Sequence, residues 1–124
     1  MTKDISGTSG QEPIHILAIV GSYRKGGVVD SAVDLVLEQA EKEGARTTKI
    51  SLVDHTLHYC TNCRGCTQEA GTRPGRCVHE DDMQSILDRV ATCDILILGS
   101  PMNFGTVTAV TKTFIERLLC FAYW

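Results

Sequence analysis

Ile14-His15-Ile16-Leu17-Ala18-Ile19-Val20-Gly21-Ser22-Tyr23-Arg24-Lys25-Gly26-Gly27 decides the fold. Its first half is an almost unbroken run of apolar and β-branched residues. A strand with one wet face alternates apolar with polar; one covered on both faces does not, and that is the mark of a parallel sheet. The run ends in a turn rich in glycine and cations. Beyond it Val29, Ala32, Val33, Val36, Leu37 and Ala40 recur at helical spacing, and Gly44 supplies a stop. Residues Arg46 to Val53 alternate roughly and read as a second strand. One β-α-β unit is complete there, with a right-handed crossover expected.

The pattern then repeats. Met83, Ile86, Leu87 and Val90 mark a second helix, with Asp81 or Asp82 favourable near its positive N-terminus. Asp94-Ile95-Leu96-Ile97-Leu98 reads as a third strand, short and buried in character. It feeds Gly99-Ser100-Pro101-Met102-Asn103-Phe104-Gly105, after which Val107, Val110, Phe114 and Leu118 outline a third helix. The expected class is therefore α/β, an open parallel sheet in three α/β/α layers with strand order 2-1-3. In that order strands one and three are neighbours. Both loops then leave the same carboxyl edge, at the switch point where such sheets bind ligands.

The two loops suit different parts of one ligand. Gly26 and Gly27 let backbone N–H groups approach an anion, and the helix that follows offers its partly positive end. Ser22 can donate a hydroxyl hydrogen bond, and Arg24 and Lys25 bring charge. The loop has neither the Lys-Ser/Thr pair of a Walker loop nor the Gly-x-Gly-x-x-Gly of dinucleotide folds, which argues against nucleotide hydrolysis. The plain alternative is a strand-to-helix turn with solvated cations. In the second loop Pro101 stiffens the turn, Met102 and Phe104 can pack on a ring, and Asn103 offers a donor and an acceptor to ring edges. Gly105 allows close backbone approach. The plain alternative for this loop is a buried connection whose Phe104 joins the core. Together the loops point to a phosphorylated aromatic cofactor, with flavin mononucleotide (FMN) the best candidate.

Bulk properties narrow the rest. The chain has 124 residues, 43% hydrophobic and 22% charged, with net charge −3. That is about one ordinary globular domain, with no electrostatic case for nucleic acid or an anionic membrane. No apolar stretch approaches the roughly 18 residues of a membrane span. Residues 1–12 are polar, lack a signal peptide's apolar centre and read as a flexible tail; residues 13–124 read as the domain. With no export signal a cytoplasmic location is expected, with reduced cysteines. Three strands leave the third as an edge whose backbone groups seek a partner. The expectation is a C-terminally shortened piece of a larger domain, or reliance on another subunit.

Residues His55 to Glu80 form a long irregular insert carrying Cys60-x2-Cys63-x2-Cys66-x10-Cys77. A loop of that length is usually functional or disordered. The Gly21–Gly27 turn, the segment Cys77-Val78-His79-Glu80-Asp81-Asp82-Met83, and Gly99–Gly105 followed by Lys112-Thr113-Phe114-Ile115-Glu116-Arg117 resemble, in order and spacing, the NADPH-dependent FMN reductase family of flavodoxin-like proteins. The resemblance covers about residues 14 to 124. It implies a flavodoxin-like fold, FMN bound without a covalent link, NAD(P)H as reductant, a small-molecule acceptor such as a quinone, and a homodimer or homotetramer. The switch-point rule itself counts flavodoxin with FMN among its examples, so that placement is inherited from the rule. By resemblance Ser22, Arg24, Lys25 and Gly27 fall where the family holds the FMN phosphate, and Pro101, Met102, Asn103, Phe104 and Gly105 where it holds the isoalloxazine. Val28-Val29 stand where the family often has Asn-Thr or Asn-Ser, and Asn103 where a Tyr often precedes Phe. The family pattern continues past the position of Trp124 with two further strands and another flavin-contacting loop.

The cysteine loop resembles that of iron–sulfur flavoproteins, a branch of the same family. Three thiolates at x2 spacing can clamp corners of a [4Fe-4S] cluster, with Cys77 as fourth ligand across a gap longer than that branch's compact pattern. Zinc would also accept four thiolates, with His58 or His79 as substitutes. Reduced thiols that pack or exchange disulfides are the third reading. Cys93 and Cys120 read as inert core thiols, His15 as a core histidine, and Lys112, Glu116 and Arg117 as a solvated helical face. Phe121, Tyr123 and Trp124 cluster at the terminus without a decided role. No side chain stands out as acid, base or nucleophile, so binding residues are expected and no dedicated catalytic group. The function expected is an FMN-dependent NAD(P)H oxidoreductase. An iron–sulfur electron carrier and a cofactor-free fragment are the alternatives.

Overall fold

A computed structural model describes residues 10–68, 71 and 74–122. Most of the expected N-terminal tail (residues 1–9), with Tyr123 and Trp124, lies outside them. Strands β1 (His15–Val20), β2 (Arg46–Ser51) and β3 (Ile95–Gly99) form one parallel sheet in the order β2-β1-β3. Helices α1 (Val28–Lys42), α2 (Met83–Thr92) and α3 (Ala109–Arg117) complete the main elements.

The apolar run of β1 is explained by what it meets. Side chains alternate across a strand, so its odd and even positions enter different cores. Leu17 and Ile19 pack with Met83, Ile86 and Leu87 of α2 and Phe114 of α3. Ile16, Ala18 and Val20 pack with Val33 and Leu37 of α1. Leu17, Ala18 and Ile19 are fully buried, and each large side chain of this kind contributes about 1.5–3 kcal/mol. The three-layer α/β/α reading holds.

The elements differ from expectation in four places. Strand β2 ends at Ser51, where Leu52–Asp54 turns as a 3₁₀ segment and sends Leu52 into the core. Strand β3 is not buried: Ile95, Leu96 and Leu98 are 44%, 38% and 40% exposed. As an edge strand it lacks a neighbour on one side among the described residues. On α1 the buried stripe is Asp30, Val33 and Leu37, while Val36 turns to solvent. The second loop is not a simple turn. Strands β4 (Met102–Asn103) and β5 (Thr106–Val107) pair antiparallel, with Phe104 at φ 46° and Gly105 at φ 79° between them. Two successive positive φ values are what a tight two-residue hairpin needs, and a phenylalanine is an unusual occupant.

Candidate functional site

The glycine-cation turn and the Pro-Asn hairpin meet on one rim. The Gly21 N–H donates to the Gly99 carbonyl at 2.8 Å, locking the ends of β1 and β3 together. Thr108, the N-cap of α3, donates its hydroxyl to the Gly21 carbonyl at 2.6 Å, and its Oγ1 lies 2.7 Å from Thr111 Oγ1. Both threonines are buried. Gly21 must be glycine, because a Cβ would stand 1.6 Å from Thr111 Oγ1. Tyr23 adds a third tie, its hydroxyl accepting the Val110 N–H at 3.2 Å.

Between the loops lies a cleft of about 420 Å³, walled by Ser22, Tyr23, Arg24, Gly27, Val28, Val29, Pro101 and Asn103. That volume falls within the range of small-ligand sites, about 300–1,000 Å³. Of the residues expected from sequence, Ser22, Arg24, Gly27, Pro101 and Asn103 line it. Lys25, Gly26, Met102, Phe104 and Gly105 stand outside its wall.

The anion end of the cleft rests on the helix more than on the glycines. Gly27 is the N-cap of α1, with no side-chain cap, so the amides of the first turn remain available to an anion beside Arg24. Two groups expected to serve a phosphate are engaged within the loop instead. Gly26 donates its N–H to Asp30 Oδ2 at 2.6 Å, and Ser22 Oγ donates to the Arg24 carbonyl at 3.1 Å while accepting the Arg24 N–H at 3.2 Å. Lys25 reaches away to Asp54 at 2.5 Å. Asp30 is itself held by Lys49 at 2.5 Å. Lys49 first, then the Gly26 N–H, keeps its carboxyl below the ordinary aspartate value. The same partner, with Asp34, raises the Lys49 ammonium above its ordinary value. A phosphate at this helix end therefore faces a carboxylate already neutralised by a lysine.

The ring end is open. Phe104 is fully exposed and Met102 79% exposed, which excludes the reading in which Phe104 joins the core. Tyr23, Val28 and Val29 line the cleft without having been expected among its binding residues. The signal for Tyr23 was its place inside the glycine-cation turn.

The cysteine loop is organised by a salt bridge that the sequence did not disclose. Arg117, expected on a solvated face, is 2% exposed and pairs with Asp81 at 2.6 and 3.1 Å. Its Nη1 also donates to the His58 carbonyl at 2.8 Å, while Asp81 accepts the N–H groups of His58 and Met83. Burial pushes the Asp81 carboxyl up, but Arg117 and those N–H donors more than offset it, and its pKa falls to about 2.

The four cysteines are not gathered into one set. Cys66 and Cys77 pack against the core beside buried Cys120. Cys63 is exposed. Cys60 lines a second cleft of about 460 Å³ with Asn62, Lys112, Ile115, Glu116 and Leu119, and accepts the Asn62 N–H. No three His, Cys, Asp or Glu among the described residues are arranged to hold a metal ion. The donor arrangement therefore does not fit a four-thiolate cluster or zinc. Cys120 is not isolated in the core, as expected of an inert thiol. Burial and a hydrogen bond with Cys66 push its thiol up to about 12.

Comparison with known proteins decides the family. Residues 14–123 match the model of the NADPH-dependent FMN reductase family. The chain belongs to that family. It is 35% identical over 107 residues to an iron–sulfur flavoprotein of Archaeoglobus fulgidus, covering 86% of this chain and 46% of that protein. It is 36% identical over 102 residues to one from Methanocaldococcus jannaschii, covering 82% of this chain and 50% of the relative. The chain thus spans about half the length of these curated relatives. Among solved structures, RosB with bound 8-demethyl-8-formylriboflavin-5'-phosphate superposes with a TM-score of 0.64 at 19% identity, over 85% of this chain and 42% of that one. This likeness supports the flavodoxin-like α/β fold. No helix among the described residues is long and apolar enough to cross a membrane.

Proposed function

We propose that the chain carries the FMN-binding half of an NAD(P)H-dependent flavin oxidoreductase that passes electrons to a small acceptor of the quinone type. The carrying observation is the cleft itself: in a member of an FMN reductase family, an uncapped helix end and a Pro-Asn hairpin wall one space. The donor set fits FMN. Arg24 and the first-turn amides of α1 would hold the phosphate, while Pro101 and Asn103 would border the ring and Phe104 could close over it.

When bound, FMN supplies a two-electron acceptor for hydride from a nicotinamide. The protein's share is placement. The Gly21–Gly99 and Thr108–Gly21 hydrogen bonds fix the separation of the two walls, and the Lys49–Asp30 pair keeps the phosphate end from repelling its ligand. Adding NADPH or NADH anaerobically to the FMN-loaded protein tests this. Bleaching of the flavin band well above the rate for free FMN is expected; a rate equal to that of free FMN would remove the assignment.

The likeness to iron–sulfur flavoproteins favours a second reading, an electron carrier with a cluster on the cysteine loop. Anaerobic reconstitution with iron and sulfide separates the two. Broad brown absorbance with acid-labile sulfide would support the carrier and require the thiols to rearrange. We also read the domain as a homo-oligomer, supported by the exposed Ile95, Leu96 and Leu98 on the β3 edge. Light scattering that gives a monomer mass would oppose this.

A further inference from the structure

We propose, on the flavin reading given above, that Tyr23 is a specificity-determining residue of the cleft. Its hydroxyl donates to the polyhydroxyl chain that joins the ring of a flavin to its phosphate.

Tyr23 spans the gap between the two walls. It belongs to the turn after β1, one residue before Arg24, and its side chain crosses to α3, where its hydroxyl accepts the Val110 N–H at 3.2 Å. Val110 lies in the first turn of α3, whose leading amides have no acceptor within the helix. Thr108 caps the amide of Thr111, and Tyr23 takes that of Val110. The backbone entering Tyr23 is held as firmly, because the Gly21 N–H donates to Gly99 and the Gly21 carbonyl accepts from Thr108. The phenol is therefore in place before a ligand arrives, which lowers the ordering cost of binding.

The cleft has few groups for a ligand rich in hydroxyls. Two side-chain hydroxyls stand on its wall, those of Ser22 and Tyr23. Ser22 is engaged with the Arg24 backbone, donating to the carbonyl and accepting the N–H. Val28, Val29 and Pro101 bring no polar side-chain atom. Arg24 serves the anion and Asn103 the ring edge. A phenol has one proton and two lone pairs. The Val110 N–H occupies one lone pair of Tyr23, and its proton meets no acceptor among the described residues. Accepting from a helix end polarises that O–H and strengthens it as a donor. With the phosphate on one wall and the ring on the other, the polyhydroxyl chain is the part of a flavin that bridges them. Tyr23 is a wall residue whose own side chain makes the same crossing, and at 54% exposure it is open to such a ligand.

Fluorescence titration of the full chain with FMN, riboflavin and lumiflavin (the ring without chain or phosphate) tests this. A wild-type chain that binds no flavin would remove the flavin reading, and this inference with it. Where the wild type does bind FMN, riboflavin is expected to bind at least about threefold more tightly than lumiflavin. Tyr23→Phe should then weaken FMN and riboflavin by the same factor, about two- to tenfold, the worth of one hydrogen bond. Lumiflavin affinity and the FMN-to-riboflavin ratio should stay unchanged. An equal loss for lumiflavin would reduce Tyr23 to a structural tie on α3, and a loss confined to FMN would move it to the phosphate. Either result overturns the assignment, as does no loss at all. Equal wild-type affinity for riboflavin and lumiflavin overturns it even if the variant fails to fold.

Discussion

The Thr108 hydroxyl donates to the Gly21 carbonyl at 2.6 Å and so joins the N-terminus of α3 to the turn after β1, 87 residues away in sequence. That bond, with Thr111 packed over Gly21, sets the distance between the two walls of the cleft. Gly21→Ala places a methyl where Thr111 Oγ1 now lies. Overpacking of this kind costs about 1–3 kcal/mol, and Thr108→Val, which leaves the buried Gly21 carbonyl short of a donor, costs a similar amount. Urea denaturation should show both losses, and FMN affinity should fall with them. Full stability in Gly21→Ala would contradict the packing described.

The buried Arg117–Asp81 pair makes a second prediction. Removing one partner strands the other charge in the core, so Arg117→Met should cost about 3–5 kcal/mol. The acid limb should carry the same signature. Asp81 titrates at about 2 in the folded chain against an ordinary 3.8. A carboxyl whose folded pKa is depressed stabilises the fold above its unfolded value and loses that contribution as pH falls toward the folded one. About 2 kcal/mol should therefore disappear between pH near 4 and pH near 2. Denaturation midpoints across this range would show it, and Asp81→Asn should flatten that limb. An unchanged acid limb in Asp81→Asn would contradict it.

Lys25 is tied to Asp54 at the surface. Exposed pairs of this kind are worth about 0.2–1 kcal/mol, and that energy opposes any swing of Lys25 toward a phosphate. Asp54→Asn should release the lysine and tighten FMN binding up to about fivefold, the effect shrinking with salt. Isothermal titration at two ionic strengths would show it; weaker binding in Asp54→Asn would contradict the role.

Phe104 stands fully exposed at a positive φ, a costly placement for a large apolar residue unless a ligand covers it. Phe104→Ala should leave stability within about 0.5 kcal/mol and weaken FMN roughly two- to tenfold, the worth of one aromatic contact. A substantial loss of stability without a change in FMN affinity would return Phe104 to a structural role.

The strand order and the convergence of the two loops were legible because each rests on a local pattern: the apolar run of β1, the glycine turn, and the helical spacing after it. What was hidden is long-range and polar. Arg117 sits in a stretch whose letters suit a wet face, and Asp81, 36 residues earlier, with the His58 carbonyl makes its burial tolerable. Likewise Asp30 lies in the first turn of α1, and its bond to Gly26 depends on Lys49 arriving from β2 to balance it. The placing of the thiols was hidden for the same reason. Even x2 spacing joined Cys60, Cys63 and Cys66 in sequence, while in space Cys66 and Cys77 pack against the core beside Cys120 and Cys60 lines a separate cleft.

The most direct measurement compares FMN with riboflavin in a fluorescence titration of the purified chain. A phosphate seated on Arg24 and the α1 N-terminus should make FMN quench stoichiometrically and bind at least about tenfold more tightly than riboflavin, with the advantage lost in Arg24→Ala. Equal affinity for the two flavins, or no quenching by either, would contradict the cleft as a flavin-phosphate site.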